Sequence, residues 1–387
     1  MKISVFIVII ALLIFWYGVI PVVGAIVNRH KWRQFRQRFD ELRLRPVLDY
    51  HVYRKLEKEE KTFRFMGGFE SVTDRKTLWI QGENLTIPVS LNDAHIYLLP
   101  NQKGEGIVNS FDPGEEMPER IKWNRVTTLT EGARVYIGGA LVFRDERWIF
   151  VSTKEVPLTV IFYDGPDRSL TNRAISAGRR RNEYWNSFTP YALAMGALCI
   201  ILIALFYLNR PAFRLTVITS IIAMFIPLFP MIPPGLLFTI ICRRLSWQAR
   251  KLMAYSDLAR LPLRYLTPLP DTGWQGSTLP DGETYGIVCC NSPPKAVLEG
   301  KIPPLIPELT KSRNKTWYIF GAMRGSRELP AEPADPFATY GVLPEKPDVL
   351  SKRYAIISHV LDIVSWIILL SGIAVNIFFV RLILLLL

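Results

Sequence analysis

Apolar residues are concentrated in four blocks, which are separated by two long stretches of mixed polarity. The blocks cover Ile3–Val27, Tyr191–Leu208, Leu215–Ile241 and Tyr354–Leu387. A helix needs about 20 apolar residues to cross about 30 Å of hydrocarbon. The pattern therefore predicts four transmembrane helices, at 1–27, 187–208, 215–241 and 354–387.

Two of these blocks admit more than one interpretation. The first could be a secretory signal peptide cleaved near Val23-Gly24-Ala25, but the dense basic segment after it favours an uncleaved anchor. The third contains Pro227, Pro230, Pro233 and Pro234. Proline removes a backbone donor and disfavours a straight helix. We expect a kinked or broken span, which either lines a binding site or bends the chain between its neighbours.

The distribution of charge predicts an orientation. The chain carries a net charge of +13 at pH 7, and its Lys and Arg crowd beside the apolar blocks. They follow the first and third blocks and precede the second and fourth, as the positive-inside rule describes. We expect a multi-pass protein of the cell membrane with both hydrophilic segments in the cytoplasm. This placement favours the lipid bilayer, and not nucleic acid, as the partner of the basic residues.

The hydrophilic segment 62–186 has the signature of a β domain. Short runs rich in β-branched and aromatic residues alternate with turn residues. The expected strands are Thr77–Ile80, Leu85–Val89, His95–Leu99, Ala133–Phe143, Trp148–Ser152 and Leu158–Tyr163. Six short strands suit a small barrel or sandwich of about the size of an OB-fold.

Part of this domain recurs in the second hydrophilic segment, 243–353. Val135-Tyr-Ile-Gly-Gly-Ala-Leu141 matches Trp317-Tyr-Ile-Phe-Gly-Ala-Met323, and Gly106–Val108 matches Gly286–Val288, with an offset of 180 to 182. We expect strands at Thr284–Cys290 and Thr316–Met323 in this second copy. Prolines interrupt the rest of it, which predicts a reduced β domain. The expected fold class is an α+β membrane protein with four transmembrane helices, built as a parallel span–domain–span duplication.

One motif in the first copy resembles a known family. The run Glu131-Gly-Ala-Arg-Val-Tyr-Ile-Gly-Gly-Ala-Leu141 is followed by Trp148–Ser152, Pro157–Phe162 and a basic helix before an apolar block. This arrangement, over about 62–185, resembles the GIDE-type (beside-a-membrane) domain of the mitochondrial ubiquitin ligase activator family. The resemblance implies a β-rich domain between two membrane helices that serves binding or assembly.

Two features of that family do not carry over. Its RING module needs several Cys and His at zinc spacing, and this chain has only Cys199, Cys242, Cys289 and Cys290 without such spacing. Ligase activity is therefore not implied. The family's domain also faces a non-cytosolic space, which is opposite to the side that the charge pattern predicts here.

A basic amphipathic segment, 28–61, links the first block to the β domain. Aromatic residues recur at helical spacing among arginines. Candidate contacts with a lipid surface are Trp32, Arg33, Phe35 and Arg36 in this segment, and Trp247 and Arg250 after the third block. Such a helix either lies on the membrane surface beside anionic headgroups or packs on its own domain.

A search for chemistry yields one pair of candidates. Neither a Walker-type glycine loop nor G-x-S-x-G nor H-E-x-x-H occurs, so the sequence predicts no catalytic residue, cofactor or metal. His359 and Asp362 share one helical face inside the fourth block. Ionisable groups in a bilayer are costly and often functional. The pair is either a proton or ion site, or an interfacial pair that bonds water or a neighbouring helix.

The leading hypothesis is a non-enzymatic membrane protein whose β domains dock or assemble with a protein partner close to the lipid. The alternative is a small transporter or ion-coupled protein that uses the proline-rich third block together with His359 and Asp362.

Overall fold

The computed structural model describes most of the 387-residue chain, which forms two compact units. The described residues are 8–9, 11–13, 15–57, 59–73, 76–99, 118–129, 132–144, 146–179, 186–209, 235–269, 273–279, 282–292, 297, 299, 301–306, 309, 316–324 and 329–386. The helical unit comprises Met1–Arg33, Arg180–Leu252 and Ile356–Leu387, and the β unit comprises Gln34–Arg179 and Met253–Ala355.

Seven α-helices are described. They are α1 (Ile20–Leu42), α2 (Tyr50–Arg54), α3 (Trp123–Val126), α4 (Asp167–Ser176), α5 (Thr189–Asn209), α6 (Gly235–Arg260) and α7 (Pro347–Leu386). A π-helical turn, Phe15–Val19, precedes α1, and a 3-10 turn, Pro262–Tyr265, follows α6.

Two helices, and not four, are long and apolar enough to cross a membrane within the described part of the chain. They are Ala11–Leu42 and Pro347–Asn376, judged by length and composition. In each helix, the most apolar stretch of 18 residues is only 18% and 17% buried, respectively. Most of each stretch therefore does not contact the rest of the protein. The predicted fold class is therefore wrong in its number of transmembrane helices, and the multi-pass arrangement of four spans is wrong for the same reason.

The other two predicted spans are not among these candidates. Within the described residues, Thr189–Leu205 of α5 is a shorter apolar helix. Most of the third block, including its four prolines, lies outside the described residues. Its described end opens α6, which soon carries Arg243 and Arg244. Within the described residues, apolar composition therefore predicted more spans than the structure supports, and the basic residues early in α6 limit the apolar stretch at that end.

Inside the helical unit, α5 runs antiparallel to the N-terminal helix. The ring of Tyr17 packs beside Gly196, where a Cβ would lie 2.4 Å from the ring. Asn186, before α5, donates from Nδ2 to the carbonyl oxygen of Pro21 at 3.1 Å. The pairing therefore depends on a residue without a side chain and on a hydrogen bond from the segment before α5 to the N-terminal helix.

Small and polar residues also join α6 to α7. The backbone N–H of Gly235 donates to Asn376 Oδ1 at 3.0 Å, and the hydroxyls of Ser246 and Ser365 lie 3.0 Å apart. Contacts of this kind let helices approach closely in apolar surroundings. Because early positions of α6 meet late positions of α7, these two helices are also antiparallel.

The β unit contains an eight-stranded sheet. Its strands are β1 (Lys61–Thr73), β2 (Thr77–Gln81), β3 (Thr86–Ser90), β4 (His95–Leu99), β5 (Glu119–Ile121), β6 (Arg134–Arg144), β7 (Arg147–Val151) and β8 (Thr159–Tyr163). Their order is β1-β2-β3-β7-β6-β8-β4-β5, and β1 also pairs with β6. This extra pairing closes five strands into a barrel, in which β3 and β7 are the parallel pair. A five-stranded barrel of this kind is typical of OB-folds.

The predicted strands of this domain all appear, as β2, β3, β4, β6, β7 and β8, and the α+β barrel is present. The longest strand, β1, was not predicted. Its run Phe65-Met-Gly-Gly-Phe69 contains two glycines, which are poor strand residues. Gly67 is required there, because a Cβ would lie 2.3 Å from the carbonyl oxygen of Gln81.

Strands β6 and β8 are buried on both faces. Residues such as Val135 and Ile137 enter the barrel core, while Tyr136 points to the outer face. The last turns of α1 cover that outer face. At Gly138 a Cβ would lie 2.8 Å from Leu42, so the close approach of helix and strand requires glycine.

A second sheet of five strands lies in the same unit. Its strands are β9 (Leu266–Leu269), β10 (Gly273–Thr278), β11 (Thr284–Cys290), β12 (Trp317–Ala322) and β13 (Gly341–Leu343). All neighbours are antiparallel, in the order β13-β12-β11-β10-β9. The two strands expected at Thr284–Cys290 and Thr316–Met323 are confirmed as β11 and β12.

Candidate functional site: a buried joint between the two sheets

The aromatic stripe of α1 packs on the barrel. Phe35 is 1% exposed, with its ring 4.3 Å from that of Tyr97, and Phe39 lies 5.4 Å from the ring of Tyr136. Arg36 donates from Nη1 to the carbonyl oxygen of Ala177 at 2.6 Å. The sequence allowed this helix either to lie on a membrane surface or to pack on its own domain. Phe35 and Arg36 pack on the domain.

The remaining candidates for lipid contact divide by exposure. Trp32 is buried, whereas Arg33 is exposed. On α6, Trp247 is exposed, and Lys251 Nζ lies 5.3 Å from its ring centroid, within cation–π range. Arg250 is half-buried. Only the exposed members, Arg33 and Trp247, are presented as a lipid surface would require.

His359 and Asp362 lie on α7, where His359 is exposed and Asp362 is half-buried. The neighbouring serines, and not this pair, face α6. Ser358 donates to the carbonyl oxygen of Ala249 at 2.7 Å, and the hydroxyl of Ser365 accepts a hydrogen bond from that of Ser246. Within the described residues, no group of three or more His, Cys, Asp or Glu side chains could hold a metal ion.

The most strongly built polar cluster lies elsewhere, between the two sheets of the β unit. We call it the joint, and it consists of Arg43, Arg64, Tyr136, Asp335 and Phe337. These five side chains come from α1, β1, β6 and the segment before β13. All five residues are buried. The joint thus brings together residues that lie up to about 290 positions apart in the sequence.

An ion pair forms its centre. Arg64 donates from Nη1 and Nη2 to the two carboxylate oxygens of Asp335, at 2.9 and 2.5 Å, and from Nε to the carbonyl oxygen of Arg45 at 2.8 Å. The side chains are 0% and 1% exposed. Burial lowers the pKa of Arg64, but the hydrogen bond and charge of Asp335 outweigh it and leave that pKa raised. Two-point pairing of this type fixes geometry as well as charge.

A second arginine holds the same segment. Arg43 donates from Nε to Asp40 at 2.8 Å, and from Nη1 to the carbonyl oxygen of Phe337 at 3.4 Å. Its guanidinium lies 5.4 Å from the ring centroid of Tyr265, within cation–π range. Because the Arg43 side chain is fully buried, its hydrogen bonds are made out of contact with bulk water.

Phe337 fills the space between the arginines. Its ring lies 5.1 Å from that of Tyr136 and 6.4 Å from that of Phe39, both at steep angles. The guanidinium carbon of Arg64 lies 5.3 Å from the ring centroid. Edge-on aromatic contacts at these separations are favourable beyond the area that they bury. The second sheet therefore inserts an Asp-Pro-Phe segment (335–337) into a cationic, aromatic recess on the barrel.

Tyr136 completes the recess with an unusual feature. Its hydroxyl is buried and has no hydrogen-bond partner among the described residues. Burial raises the pKa of Tyr136 well above 10, with smaller opposing contributions from Arg64 and Arg43. The phenol is therefore neutral at physiological pH. The joint is equipped to recognise and hold a chain segment through charge, hydrogen bonds and aromatic packing.

Comparisons with family models, with curated proteins and with solved structures found no match to this chain. The GIDE-type resemblance accordingly stays a prediction.

Sequence reasoning did not single out the joint. Arg64 alternates with Phe63 and Phe65 in β1, which is the pattern of a surface position on a half-buried strand. The burial of Arg64 depends on Asp335, 271 positions away. The one local signal was the continuous apolar run of β6, since a strand that is apolar on both sides is covered on both faces.

Proposed function

We propose that this chain is a membrane-anchored docking or assembly protein whose β unit holds a protein partner close to the lipid. One observation carries the proposal. Ala11–Leu42 is a helix whose early part is apolar and largely exposed, and whose last turns carry Phe35, Phe39 and Leu42 into contact with the barrel. The early part of this helix thus belongs to the helical unit and its last turns belong to the β unit.

The β unit offers surfaces for such a partner. Trp123 and Tyr50 are 40% and 44% exposed on the barrel side of the unit. Exposed aromatic side chains are enriched in protein interfaces. The joint supports the same proposal from within, because it holds a segment of the second sheet on the barrel by contacts typical of interfaces.

Photo-crosslinking in intact membranes tests this function. A photoreactive residue at Trp123 or Tyr50 should capture one stable protein partner, recoverable in mild detergent, whereas the same residue at buried Phe150 should capture none. Repeated recovery of this protein alone from both exposed positions would count against docking.

We further propose that the two sheets derive from a duplication. In the first sheet, Tyr136 and Ile137 pair with Ile161 and Val160; in the second, Tyr318 and Ile319 pair with Leu343 and Val342. When Tyr136-Ile137 is aligned with Tyr318-Ile319, the residues that pair with them across the sheet align as well, at the same offset in residue number. In both copies a helix begins next, at Asp167 and at Pro347. The matched string Gly106–Val108 lies outside the described residues.

Homologous sequences can test the duplication. The profile of homologues around 134–176 should match the profile around 316–358 better than it matches shuffled segments of equal composition. Equal scores for the two comparisons would remove the duplication. A match of the first profile to GIDE-type domains would support the resemblance in the same experiment.

A cytoplasmic position beside anionic lipid of the cell membrane is the topology that we propose for the β unit. It is supported by the Lys and Arg that flank the apolar segments and by the exposure of Arg33 and Trp247. Single cysteines at 120 and 330 should be labelled only after the cytoplasmic side is opened. Labelling of both from outside would reverse the orientation and favour the GIDE-type arrangement. Labelling of the two cysteines from opposite sides would refute the placement of both sheets on the same side of the membrane.

Ion-coupled transport is the second candidate function, and one observation favours it. Asp362 is a half-buried ionisable residue within an apolar helix. Asp362→Asn should abolish proton flux in reconstituted vesicles while the protein still accumulates in the membrane. Unchanged flux in that variant would remove this candidate, and Ser371→Ala on the same helix is the matched control.

A further inference from the structure

A second polar cluster lies on the outer edge of the eight-stranded sheet. His95 and Tyr97 point to the same face of β4, because they are two residues apart in a strand. Arg120 on β5 pairs directly opposite Tyr97, which puts its side chain on that face too. Phe35 packs on Tyr97, so Arg38, one helical turn later on α1, is directed to the same place.

The hydrogen bonding of this cluster leaves donors available. Arg120 donates from Nη2 to His95 Nδ1 at 2.7 Å. Since a guanidinium has no acceptor, His95 must carry its proton on Nε2. Among the described residues, neither Arg38 nor Arg120 forms a salt bridge with a carboxylate. The neighbouring Glu119 is engaged instead by Arg125 at 3.1 Å.

The charge around His95 has a single sign. Burial, Arg120 and Arg38 together lower the pKa of His95 to about 4, so the imidazole is neutral at pH 7. Arg120 and Arg38 also act on Tyr97, where they oppose the rise in pKa that burial causes. The two charges that act on this half-buried imidazole are therefore both positive.

We propose that Arg38, His95 and Arg120 form a binding site for a phosphate group. The guanidinium of each arginine can donate to phosphate oxygens in a planar, two-point manner, and His95 Nε2 can add a neutral donor. A phosphate would also relieve the repulsion between the two arginines. The phosphate could belong to a lipid headgroup or to a soluble phosphate compound, and these sources share the same chemistry.

If the phosphate belongs to a lipid, this site is the place where the β unit contacts anionic lipid, and in that case the inference rests on the proposed function. If the phosphate is soluble, the inference does not depend on the proposed function. Its failure can be told apart from failure of docking. Loss of phosphate binding leaves the cross-linking at Trp123 and Tyr50 unchanged, and absence of a protein partner leaves phosphate binding unchanged.

Calorimetric titration of the full-length chain in detergent tests the site with two probes, inorganic pyrophosphate and dioctanoyl phosphatidate, and with dioctanoyl phosphatidylcholine as the control lipid. Arg120→Ala should weaken binding of at least one probe by about tenfold, since a charge-assisted hydrogen bond is lost. Arg144→Ala, which removes an exposed arginine from a strand end of the same sheet, should change it less than about twofold. Arg38→Ala should behave like Arg120→Ala.

The outcomes separate the sources and the rival explanation. Tighter binding of phosphatidate than of dioctanoyl phosphatidylcholine and pyrophosphate supports a lipid headgroup, and preference for pyrophosphate supports a soluble phosphate. Binding of neither probe overturns the proposal. Equal weakening by Arg120→Ala and Arg144→Ala also overturns it, because it would indicate attraction to net charge. Thermal denaturation of each variant checks that the fold is retained.

Discussion

The eight-stranded sheet closes on itself, whereas the five-stranded sheet stays open. Pairing of β1 with β6 gives the first a barrel core that includes Phe65, Ile80 and Phe150. The second has a smaller cluster, made by Ile302, Trp317, Ile319 and Val342. An open sheet with short strands has little apolar area of its own to bury. The comparison indicates that the second sheet depends on the joint for stability, while the barrel does not.

The largest expected effect comes from Asp335→Ala. The change leaves Arg64 buried without its counter-charge, which typically costs about 3–5 kcal/mol. We expect the second sheet to lose amide protection in hydrogen exchange while the barrel keeps it. Glu345→Ala, which removes the half-buried partner of exposed Arg353, should cost at most about 1 kcal/mol. Equal loss of protection in both sheets would contradict the dependence inferred here.

A glycine substitution tests the packing of the barrel, which is the other sheet in this comparison. Gly138→Ala forces a Cβ against Leu42 at 2.8 Å and should destabilise the barrel and α1 by about 1–3 kcal/mol, as overpacking does. At Gly68, in the strand paired with β6, the nearest atom would be 3.8 Å away. Gly68→Ala should therefore change the free energy of unfolding by less than about 0.5 kcal/mol. Similar denaturation midpoints for the two variants would refute this packing.

Two tyrosines that enter the interior of the β unit should respond with opposite signs. Tyr136→Phe removes a buried hydroxyl without a described partner and should stabilise the β unit by about 1 kcal/mol, because a buried unsatisfied polar group is costly. Tyr285→Phe removes a hydroxyl that donates to the carbonyl oxygen of Thr339 at 2.6 Å and should destabilise it by about 1 kcal/mol. Chemical denaturation of both variants measures the difference. A loss of stability in Tyr136→Phe would show that its hydroxyl has a partner.

The smallest expected effect concerns pH. The folded-state pKa of His95 is about 4, below its ordinary 6.5, so protonation favours the unfolded chain. The stability contributed by neutral His95 is present above pH 6.5 and is lost as the pH falls from about 6.5 towards 4. His95→Gln should flatten this decline in amide protection of β4 and β8. Parallel pH profiles for the two proteins would disprove the assignment.

Sequence reasoning found the features that depend on neighbours in the chain. The strand runs of the first domain, and the strands β11 and β12, followed from β-branched and aromatic composition. It failed at β1, where Gly67 is required by its close approach to the carbonyl oxygen of Gln81 on β2, a contact that composition does not show. It also failed for Arg64, because nothing near position 64 shows that Asp335 will cover it.

The membrane helices show a related limit. Apolar composition identified the N-terminal helix and α7, but it counted Tyr191–Leu208 and Leu215–Ile241 as equals of these. Whether a block crosses a bilayer depends on helix length and on where charges such as Arg243 enter the same helix. Phe35 illustrates the same point, since an amphipathic stripe fits a lipid surface and a barrel wall equally well until its partner, here Tyr97, is known.

The position of Asp335 in the chain also has a consequence for biosynthesis. The barrel strands are complete once the ribosome has passed residue 151, but the acid that neutralises Arg64 follows about 180 residues later. At translation rates of 5–20 residues per second, the nascent barrel waits roughly 10 to 40 s for it. During that interval its cationic recess is open, and a chaperone or a neighbouring nascent chain that offers an acidic-aromatic segment could occupy it first.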